Sequence, residues 1–424
     1  MRRPSAEDPL LKSELVGAFG TIVEWYDFSL YVYFAPVYAR IFFGNDGADG
    51  LVATFAVFGA AYLARPLGAA VFGSYGDRHG RKRTLTVTAT IMTGALLANA
   101  ALPTEAAIGS TAAILLIAVR FVMGFALGGE YSGILVYLAE VATPERRGFV
   151  GSWSLTAAYA GVLLAVGVSA VLTTVLSEAA LDAWGWRVPL VIGAVLALMV
   201  LALRRSLVES ETFERLAATS EVSRSPVRDV LRSAPGPVFV VFSMAFVAAI
   251  AMYLNLSFVP TFLQTYEDVS AATALRWSAL ATAATVGGTL FFGWLSDIIG
   301  RRWAFGGASA FLALATVPLF AMLDGAVPVA ITAMVALGLG VSAFTGALGA
   351  ALSEQLPGRL RVSGLAIGYN LAMLVGGFVP LLATLLIESS GSTLAPAVVA
   401  SVVGVYGVVV GWRITETARL PLRD

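Results

Sequence analysis

Four ionisable side chains lie near the middle of apolar stretches in the first half of the chain: Glu24, Asp27, Arg65 and Arg120. At the centre of a bilayer such a group costs about 2.5–3.5 kcal/mol, so it is normally paired and serves a function. Glu24 and Asp27 are three residues apart and therefore share one face of a helix. Two acids and two arginines balance in charge, which a dry interior tolerates because buried charges must be paired.

The chemistry that these residues predict is proton transfer combined with anion binding. A carboxylate that is paired in one state and unpaired in another changes its proton affinity. We interpret Asp27, paired with Arg120, as the main proton-coupling residue, with Glu24 and Glu130 as further candidates; Glu130 could equally belong to a gate. The two arginines are predicted to bind a substrate carboxylate, since a guanidinium binds carboxylate bidentately. A fixed ion-pair cluster that only holds helices together is the alternative.

The second half of the chain has no charge in the interiors of its predicted helices, and the polar groups there are uncharged. The candidate substrate contacts from both halves are Tyr26, Tyr131, Tyr253, Asn255, Tyr369 and Asn370. Each of them alone could serve only to hold helices together. The asymmetry indicates that the first half carries coupling and charge recognition, while the second half supplies polar selectivity.

The elements that must position these residues are membrane-spanning helices. The chain is 58% hydrophobic and 13% charged, whereas a soluble domain has about 25% charged residues. About 20 apolar residues span a bilayer as a helix, and the runs are too long and too uniform for the alternating strands of a β-barrel. Twelve segments qualify: 15–43, 51–75, 84–104, 107–139, 149–176, 187–203, 237–265, 272–296, 303–322, 326–351, 363–388 and 394–412.

Helix geometry places the four charges at similar depth. Counted at 1.5 Å per residue, Asp27 lies about 18 Å into the first helix and Arg120 roughly 20 Å into the fourth, which runs in the opposite direction. Arg65 lies roughly 21 Å into the second helix and Glu24 about 14 Å into the first. In a hydrocarbon core about 30 Å thick, all four are expected near the midplane.

The basic residues predict the orientation of the chain. Of 27 Lys and Arg residues, 22 lie in seven short polar segments that alternate with apolar ones. A cytoplasmic excess of Lys and Arg sets membrane orientation. We therefore expect both termini in the cytoplasm of a multi-pass protein of the bacterial inner membrane, with an uncleaved first helix. Zero net charge gives no indication of nucleic-acid binding, and the chain has no cysteine.

The chain divides into two similar halves. The longest polar stretch predicts a cytoplasmic linker at 204–236, between a first bundle at 1–203 and a second at 237–424. A glycine-rich basic motif after the second helix returns after the eighth, at 73–82 and 293–302, and Glu140…Arg147 is echoed by Glu354…Arg361. Two parallel six-helix repeats with the substrate between them are a known transporter architecture.

The motif Gly-x-x-x-Asp-Arg-x-Gly-Arg-Lys resembles the loop signature of the major facilitator superfamily. Glu24-Trp-Tyr-Asp-Phe28, Arg65-Pro-x-Gly68 and Gly128-Gly-Glu-Tyr131 are similar to the metabolite:proton symporter branch, whose members carry citrate, 2-oxoglutarate, shikimate, or proline and betaine. The resemblance implies the twelve-helix major facilitator fold, alternating access, and a latch that joins the halves on the cytoplasmic side in the outward-facing state. The residues matched to that latch are Gly73, Asp77, Arg78, Gly80, Arg81, Lys82, Gly293, Asp297, Gly300, Arg301 and Arg302. Ile298 replaces the Arg after the second Asp, so the second latch is expected to be weaker.

These observations predict a proton-coupled symporter that imports a small polar metabolite, an organic acid or zwitterion. The expected partners are the substrate, the proton and the bilayer; we expect a monomer with no cofactor, metal or enzyme chemistry, because no phosphate loop, metal cluster or activated nucleophile is present. One alternative is a drug:proton antiporter, but the fifth helix lacks that group's Gly-Pro signature. The other is a nutrient sensor, of which we expect a signalling tail or domain.

Overall fold

The chain folds into long helices that are described by a computed structural model. It covers residues 9–45, 47–79, 81–128, 135–136, 138–140, 142–205, 232, 234–357 and 361–422, and gives only the backbone course for residues 9–18, 73–74, 76–79, 81–82, 85 and 204–205. Helices are the expected form, because a segment in lipid must satisfy all its backbone groups within itself. The predicted all-helical fold is confirmed.

The first half contributes six spanning helices. They are α1 (Pro9–Tyr33, continued by Ala35–Phe43), α2 (Ala48–His79), α3 (Arg81–Ala100), α4 (Thr111–Leu127), α5 (Arg147–Val175) and α6 (Arg187–Arg205). Short helical turns lie at Glu105–Ile108, Pro144–Arg146, Glu178–Ala180 and Leu181–Gly185.

The second half contributes the other six. They are α7 (Pro235–Met252, a π turn at Tyr253–Phe258, then Val259–Thr265), α8 (Ala271–Ile299), α9 (Arg301–Ala321), α10 (Val327–Glu354), α11 (Arg361–Gly377 and Val379–Ser390) and α12 (Ala395–Arg413). By length and composition alone, eight helices in the described part are able to cross a bilayer, α3 and α4 are shorter apolar helices, and α6 is bent by 41° from the turn before it.

Three of the helices are interrupted at the same short sequence. Phe-x-Pro occurs at residues 34–36, 258–260 and 378–380, and in each case a new helical segment begins between the Phe and the Pro. Proline has no backbone N–H and its ring clashes with the preceding turn, so the first turn of a helix is its most favourable helical position. The proline therefore restarts α1, α7 and α11 near the same end of the bundle.

The helices of the two halves pack in the same order. In the first half α1 packs on α5, α2 on α4, and α3 on α6; in the second half α7 packs on α11, α8 on α10, and α9 on α12. Across the halves, α5 contacts α8 and α10, and α2 contacts α11. Six helices repeated in the same arrangement are the architecture that the repeated motifs predict.

Small residues bring α2 and α4 together beside the predicted site. Gly124 and Gly128 lie directly on the backbone of Ala61 and Arg65, and a side chain at either position would collide with a carbonyl oxygen. This Gly-x-x-x-Gly pair packs within the bundle, as small residues do at close helix crossings. It also fixes the distance of Arg65 from α4.

The bundle has two ends. We call the end at which α6 ends, α7 begins and the segment after α12 lies the linker face, and the other end the opposite face.

Candidate functional site

A buried ion pair lies where α1 meets α4. Arg120 Nη1 donates to Asp27 Oδ2 at 3.0 Å, and the exposed fractions of the two side chains are 1% and 0%. The helices run in opposite directions, and the depth estimate from the sequence predicts this meeting. Because both charges are removed from water, each depends on the other for compensation.

The pair leaves hydrogen-bonding capacity unused. Among the described residues, Asp27 Oδ1 and Arg120 Nε and Nη2 are buried without a hydrogen-bond partner. A buried polar atom without a partner costs about 1–3 kcal/mol. Such atoms at an ion pair are suited to receive a proton on the carboxylate and an anionic group on the guanidinium.

An aromatic ring covers the other side of Arg120. The guanidinium carbon lies 4.2 Å from the centroid of the Tyr31 ring, within the range of a cation–π interaction. Tyr31 is itself fixed, since its hydroxyl donates to the carbonyl of Thr54 at 3.0 Å.

Arg65 is held by rings as well. Its guanidinium carbon lies 4.7 Å from the Phe28 centroid and 4.6 Å from the Tyr62 centroid. Arg65 lines a cleft between the halves, together with Glu24, Trp25, Leu127, Gly128, Tyr369 and Asn370. The structure thus brings four of the predicted site residues together around one opening: Glu24, Arg65, Tyr369 and Asn370.

The other predicted substrate contacts lie elsewhere. The Tyr26 hydroxyl donates to the carbonyl of Pro189 at 2.8 Å, so this fully buried side chain faces α6 and is not among the residues lining the cleft. The hydroxyl oxygens of Tyr253 and Tyr62 are 2.5 Å apart and share a hydrogen bond. Asn255 lines a separate small cavity between α7, α8 and α10.

Several sequence predictions fall outside the described residues. Glu130 and Tyr131 are among them, as is Gly80. For Gly73, Asp77, Arg78, Arg81 and Lys82 only the backbone course is described, so the first latch motif keeps the standing of a prediction.

The second motif makes direct contacts between the halves. Asp297 of α8 accepts hydrogen bonds from the backbone N–H groups of Gly148 and Phe149, at 2.7 and 2.9 Å. It thereby caps the N-terminus of α5, where a negative charge is stabilising. Arg301 is 2.9 Å from Asp297 and 3.0 Å from Glu354.

Three further positions of that motif make contacts or adopt a special backbone conformation at the linker face. Gly293 packs against Gly148 and Ser152 of α5. Gly300 has φ +95°, a conformation that favours glycine, and the N–H of Arg302 donates to Glu416. Ile298 is 50% exposed, and the weaker second latch expected from it stays a prediction.

Two ion pairs at the linker face were not predicted from the sequence. Arg147 Nη1 is 3.1 Å from Glu354, and Arg361 Nη1 is 2.8 Å from Glu140. Each arginine pairs with the acid of the other half, and its Nε donates to a carbonyl of its own half, at Ala139 and Ser353. The repeat of a Glu and an Arg at the same spacing in both halves was the available sequence signal. That each Arg pairs with the Glu of the other half follows only from how the two halves pack.

Between the cleft and the opposite face, the described residues of the two halves meet through neutral groups. The Tyr33 hydroxyl donates to the carbonyl of Leu256 at 3.2 Å. The centroids of Phe58 and Tyr253 are 6.2 Å apart, and those of Phe55 and Phe258 are 6.4 Å apart. With the Tyr62–Tyr253 hydroxyl contact, these rings form an aromatic layer between α2 and α7, which we define as Phe55, Phe58, Tyr62, Tyr253 and Phe258.

Comparison with known proteins gives family matches to both halves. Residues 14–234 match the family described as "Sugar (and other) transporter", and residues 242–423 match "Major Facilitator Superfamily". The chain is 32% identical over 433 aligned residues to the glycine betaine/proline/ectoine/pipecolic acid transporter OusA of Dickeya dadantii, covering 98% of this chain and 85% of that protein. It is 34% identical over 394 residues to the citrate-proton symporter of Klebsiella pneumoniae, covering 92% of this chain and 88% of that one.

Solved structures give the same fold. The crystal structure of a D-xylose-proton symporter superposes with a TM-score of 0.78 at 19% identity, covering 97% of this chain and 100% of that chain. The inward open conformation of the xylose transporter XylE from E. coli superposes with a TM-score of 0.73 at 18% identity, covering 96% and 97%. At this identity the likeness concerns the fold alone.

Proposed function

Because the chain belongs to the major facilitator superfamily, and is thus a multi-pass membrane transporter and not an enzyme, we propose that it couples uptake of a small carboxylate-bearing metabolite to proton entry. The observation that carries this proposal is the buried pair of Asp27 and Arg120, with unpartnered atoms on both sides.

Proton coupling follows from what protonation would do to this pair. A proton on Asp27 removes the charge that holds Arg120 Nη1, and the guanidinium then lacks a carboxylate. A substrate carboxylate can supply it, and Arg120 Nε and Nη2 have donors available for a bidentate contact. Binding of the proton then increases the affinity for the substrate, and binding of the substrate increases the affinity for the proton by the same factor.

Charge balance in the site changes with the proton. Glu24 and Asp27 offset Arg65 and Arg120, so protonation of Asp27 leaves one positive charge, which a substrate carboxylate offsets. Two relatives are named as transporters of betaine and proline, which are zwitterions, and another as a citrate-proton symporter. The chemistry common to these substrates is a carboxylate, which is the group that an arginine binds best.

The latch residues are proposed to close the linker face in one state of the cycle. Asp297 and Arg301 support this role through their contacts with α5 and α10. We extend it to Asp77 and its neighbours in the first motif on the strength of the repeat. The positive-inside rule supports a cytoplasmic linker face, with both termini on that side of a bacterial inner membrane.

The test compares exchange with accumulation in proteoliposomes. Labelled glycine betaine, proline and citrate are offered with and without a pH gradient, and the substrate that the wild type accumulates is carried forward. Asp27→Asn mimics the protonated form and is expected to exchange this substrate but not to concentrate it. Asp49→Asn, an exposed acid in the first turn of α2, is the matched control. Accumulation by Asp27→Asn at the wild-type level would move the proton to another carboxylate.

Arg120→Lys tests the anion site in the same assay. The positive charge is kept, but the planar guanidinium with its paired N–H donors is lost, and lysine is not equivalent at a bidentate site. We expect the KM for exchange to rise by about tenfold or more. An unchanged KM would make Arg65 the better candidate.

A further inference from the structure

On α1 each acid of the site is followed four residues later by an aromatic ring. The pairs are Glu24 with Phe28 and Asp27 with Tyr31, and residues four apart lie on one face of a helix. Each pair faces one arginine. Arg120 contacts both members of its pair, Asp27 at 3.0 Å and the Tyr31 ring at 4.2 Å. Arg65 lies on the Phe28 ring and lines a cleft with Glu24.

The Tyr31 ring is anchored independently of the ion pair. It stacks on Tyr38 with 4.7 Å between centroids, its hydroxyl donates to the carbonyl of Thr54, and its side chain is completely buried. The Thr54 carbonyl is a neutral acceptor on α2, so this anchor does not depend on the charge of Asp27. Tyr38 lies beside the ion pair and itself interacts with Arg120.

The two supports of Arg120 differ in one property. The carboxylate can lose its charge to a proton, whereas the face of a ring attracts a cation at any pH. A buried arginine that loses its carboxylate and has no other support would be driven to another position, because an unpaired buried charge is strongly unfavourable.

We propose that Tyr31 is a positioning residue, whose ring holds the Arg120 guanidinium in the substrate-binding position while Asp27 is protonated. This inference rests on the proposed function, in which Asp27 carries the proton. It separates two tasks within one helix: Asp27 changes the charge, and Tyr31 keeps the geometry.

The alternative is that Tyr31 only packs the interior. The two roles differ in how Tyr31 and Asp27 depend on each other, which a double-mutant cycle measures. If the ring holds Arg120 when the carboxylate is neutral, loss of the ring must raise the KM for exchange more in the Asp27→Asn protein than in the wild type. If the ring only packs the interior, its loss must raise the KM by the same factor in both proteins.

The experiment measures the KM for exchange of the substrate identified above, in wild-type and Asp27→Asn backgrounds. Tyr31→Leu removes the ring and Tyr31→Phe keeps it. Phe42→Leu, a buried ring of the same helix that packs on Trp186, is the packing control. Trifluorinated phenylalanine at position 31 keeps the shape of the ring but weakens its attraction for cations, and serves if Tyr31→Leu does not fold.

We expect Tyr31→Leu and the fluorinated ring to raise the KM by about tenfold in the Asp27→Asn background, and by about threefold or less in the wild type. Tyr31→Phe should stay within about twofold in both, and Phe42→Leu should show no dependence on the background. Equal factors in the two backgrounds overturn the proposal alone. Accumulation of substrate by Asp27→Asn itself overturns the proton assignment, and this proposal with it, before any Tyr31 variant is compared.

Discussion

At the linker face the two halves are joined by charged groups, whereas at the opposite face they are joined by aromatic rings and neutral hydrogen bonds. Arg147 with Glu354, Arg361 with Glu140, and Asp297 on the N-terminus of α5 connect the halves at the first. The aromatic layer and the Tyr33 hydroxyl connect them at the second.

The difference sets how firmly each face is closed. Removing one partner of a buried ion pair costs about 3–5 kcal/mol, while a neutral hydrogen bond contributes about 0.5–1.5 kcal/mol and an aromatic pair a similar amount. A transporter that works by alternating access must open each face in turn. The comparison therefore predicts that the resting protein favours closure of the linker face, and the following variants test it in order of expected effect.

Glu354→Gln should open the linker face most. Glu354 is a carboxylate partner of both Arg147 and Arg301, whose exposed fractions are 3% and 0%. Its loss leaves the buried Arg147 without this acid and Arg301 with Asp297 alone. We expect about 3–5 kcal/mol in favour of opening. The chain has no cysteine, so a single reporter, Asn370→Cys in the cleft, can be labelled with an impermeant maleimide from each side. Labelling from the linker side should rise more than tenfold, while Glu145→Gln, an exposed acid of the same face, should leave it unchanged. Equal labelling in Glu354→Gln and wild type would contradict a charge-held closure.

Tyr253→Phe should act on the opposite face and in the other direction. It leaves the buried Tyr62 hydroxyl without its partner, which costs about 1–2 kcal/mol. The same reporter should then react faster from the opposite side, by about fivefold to thirtyfold. Tyr266→Phe, at the exposed end of α7, is the control. Faster labelling from the linker side instead would show that the hydroxyl pair does not close the opposite face.

The sequence predicted the fold because its signals are long and repeated. Apolar length and the placement of basic residues locate the helices, and the echoed motifs give two repeats. The breaks in α1, α7 and α11 were not predicted, although Phe-x-Pro at residues 34, 258 and 378 gave a signal, since proline removes a hydrogen bond from the helix that precedes it.

The sequence predicted how deep the site residues lie along their helices, but not the direction in which each side chain points around the helix axis. Asp27 and Arg120 were matched because two antiparallel helices reach the same level. Tyr26 was placed in the cavity, yet its neighbour Asp27 is about 100° away around the helix, since a turn has 3.6 residues, and Tyr26 faces α6 instead. The rings on Arg65 depend on how α1 and α2 are turned towards each other, and the pattern of one helix does not contain that angle.

Glu140→Gln tests whether burial sets the strength of the two ion pairs between the halves, Arg361–Glu140 and Arg147–Glu354. Glu140 is 48% exposed while Glu354 is 1% exposed, and an exposed pair contributes about 0–1 kcal/mol. Because Arg361 is buried, we expect the upper part of that range, and a change in linker-side labelling of about fivefold or less. Double-mutant cycles with Arg147→Gln and Arg361→Gln compare the pairs directly. A loss as large as that of Glu354→Gln would mean that burial does not set the strength of this closure.

Glu416→Gln should have the smallest effect, and one that depends on pH. Glu416, in the segment after α12, accepts hydrogen bonds from the backbone N–H groups of Arg301 and Arg302 at the start of α9, and of Thr417 and Ala418. Burial by itself raises the pKa of this carboxyl, but the N–H donors of Ala418, Arg301, Arg302 and Thr417 outweigh it, so the pKa lies below its ordinary value. A lowered pKa means that the stabilisation is complete above the ordinary value of about 4.3 and is lost as the pH falls through the lowered pKa.

A charge at the start of a helix contributes about 0.3–1 kcal/mol, and Glu416 is partly exposed, so we expect about 0.5 kcal/mol. At neutral pH linker-side labelling of Glu416→Gln should exceed that of the wild type by about twofold. The difference should shrink at pH values below about 4, because the wild-type carboxyl then becomes as neutral as the amide. Glu105→Gln, an acid at the opposite face, is the control at both pH values. A difference that persists in acid would assign the effect to the shape of the side chain, and would remove Glu416 from the charged groups that distinguish the linker face from the opposite one.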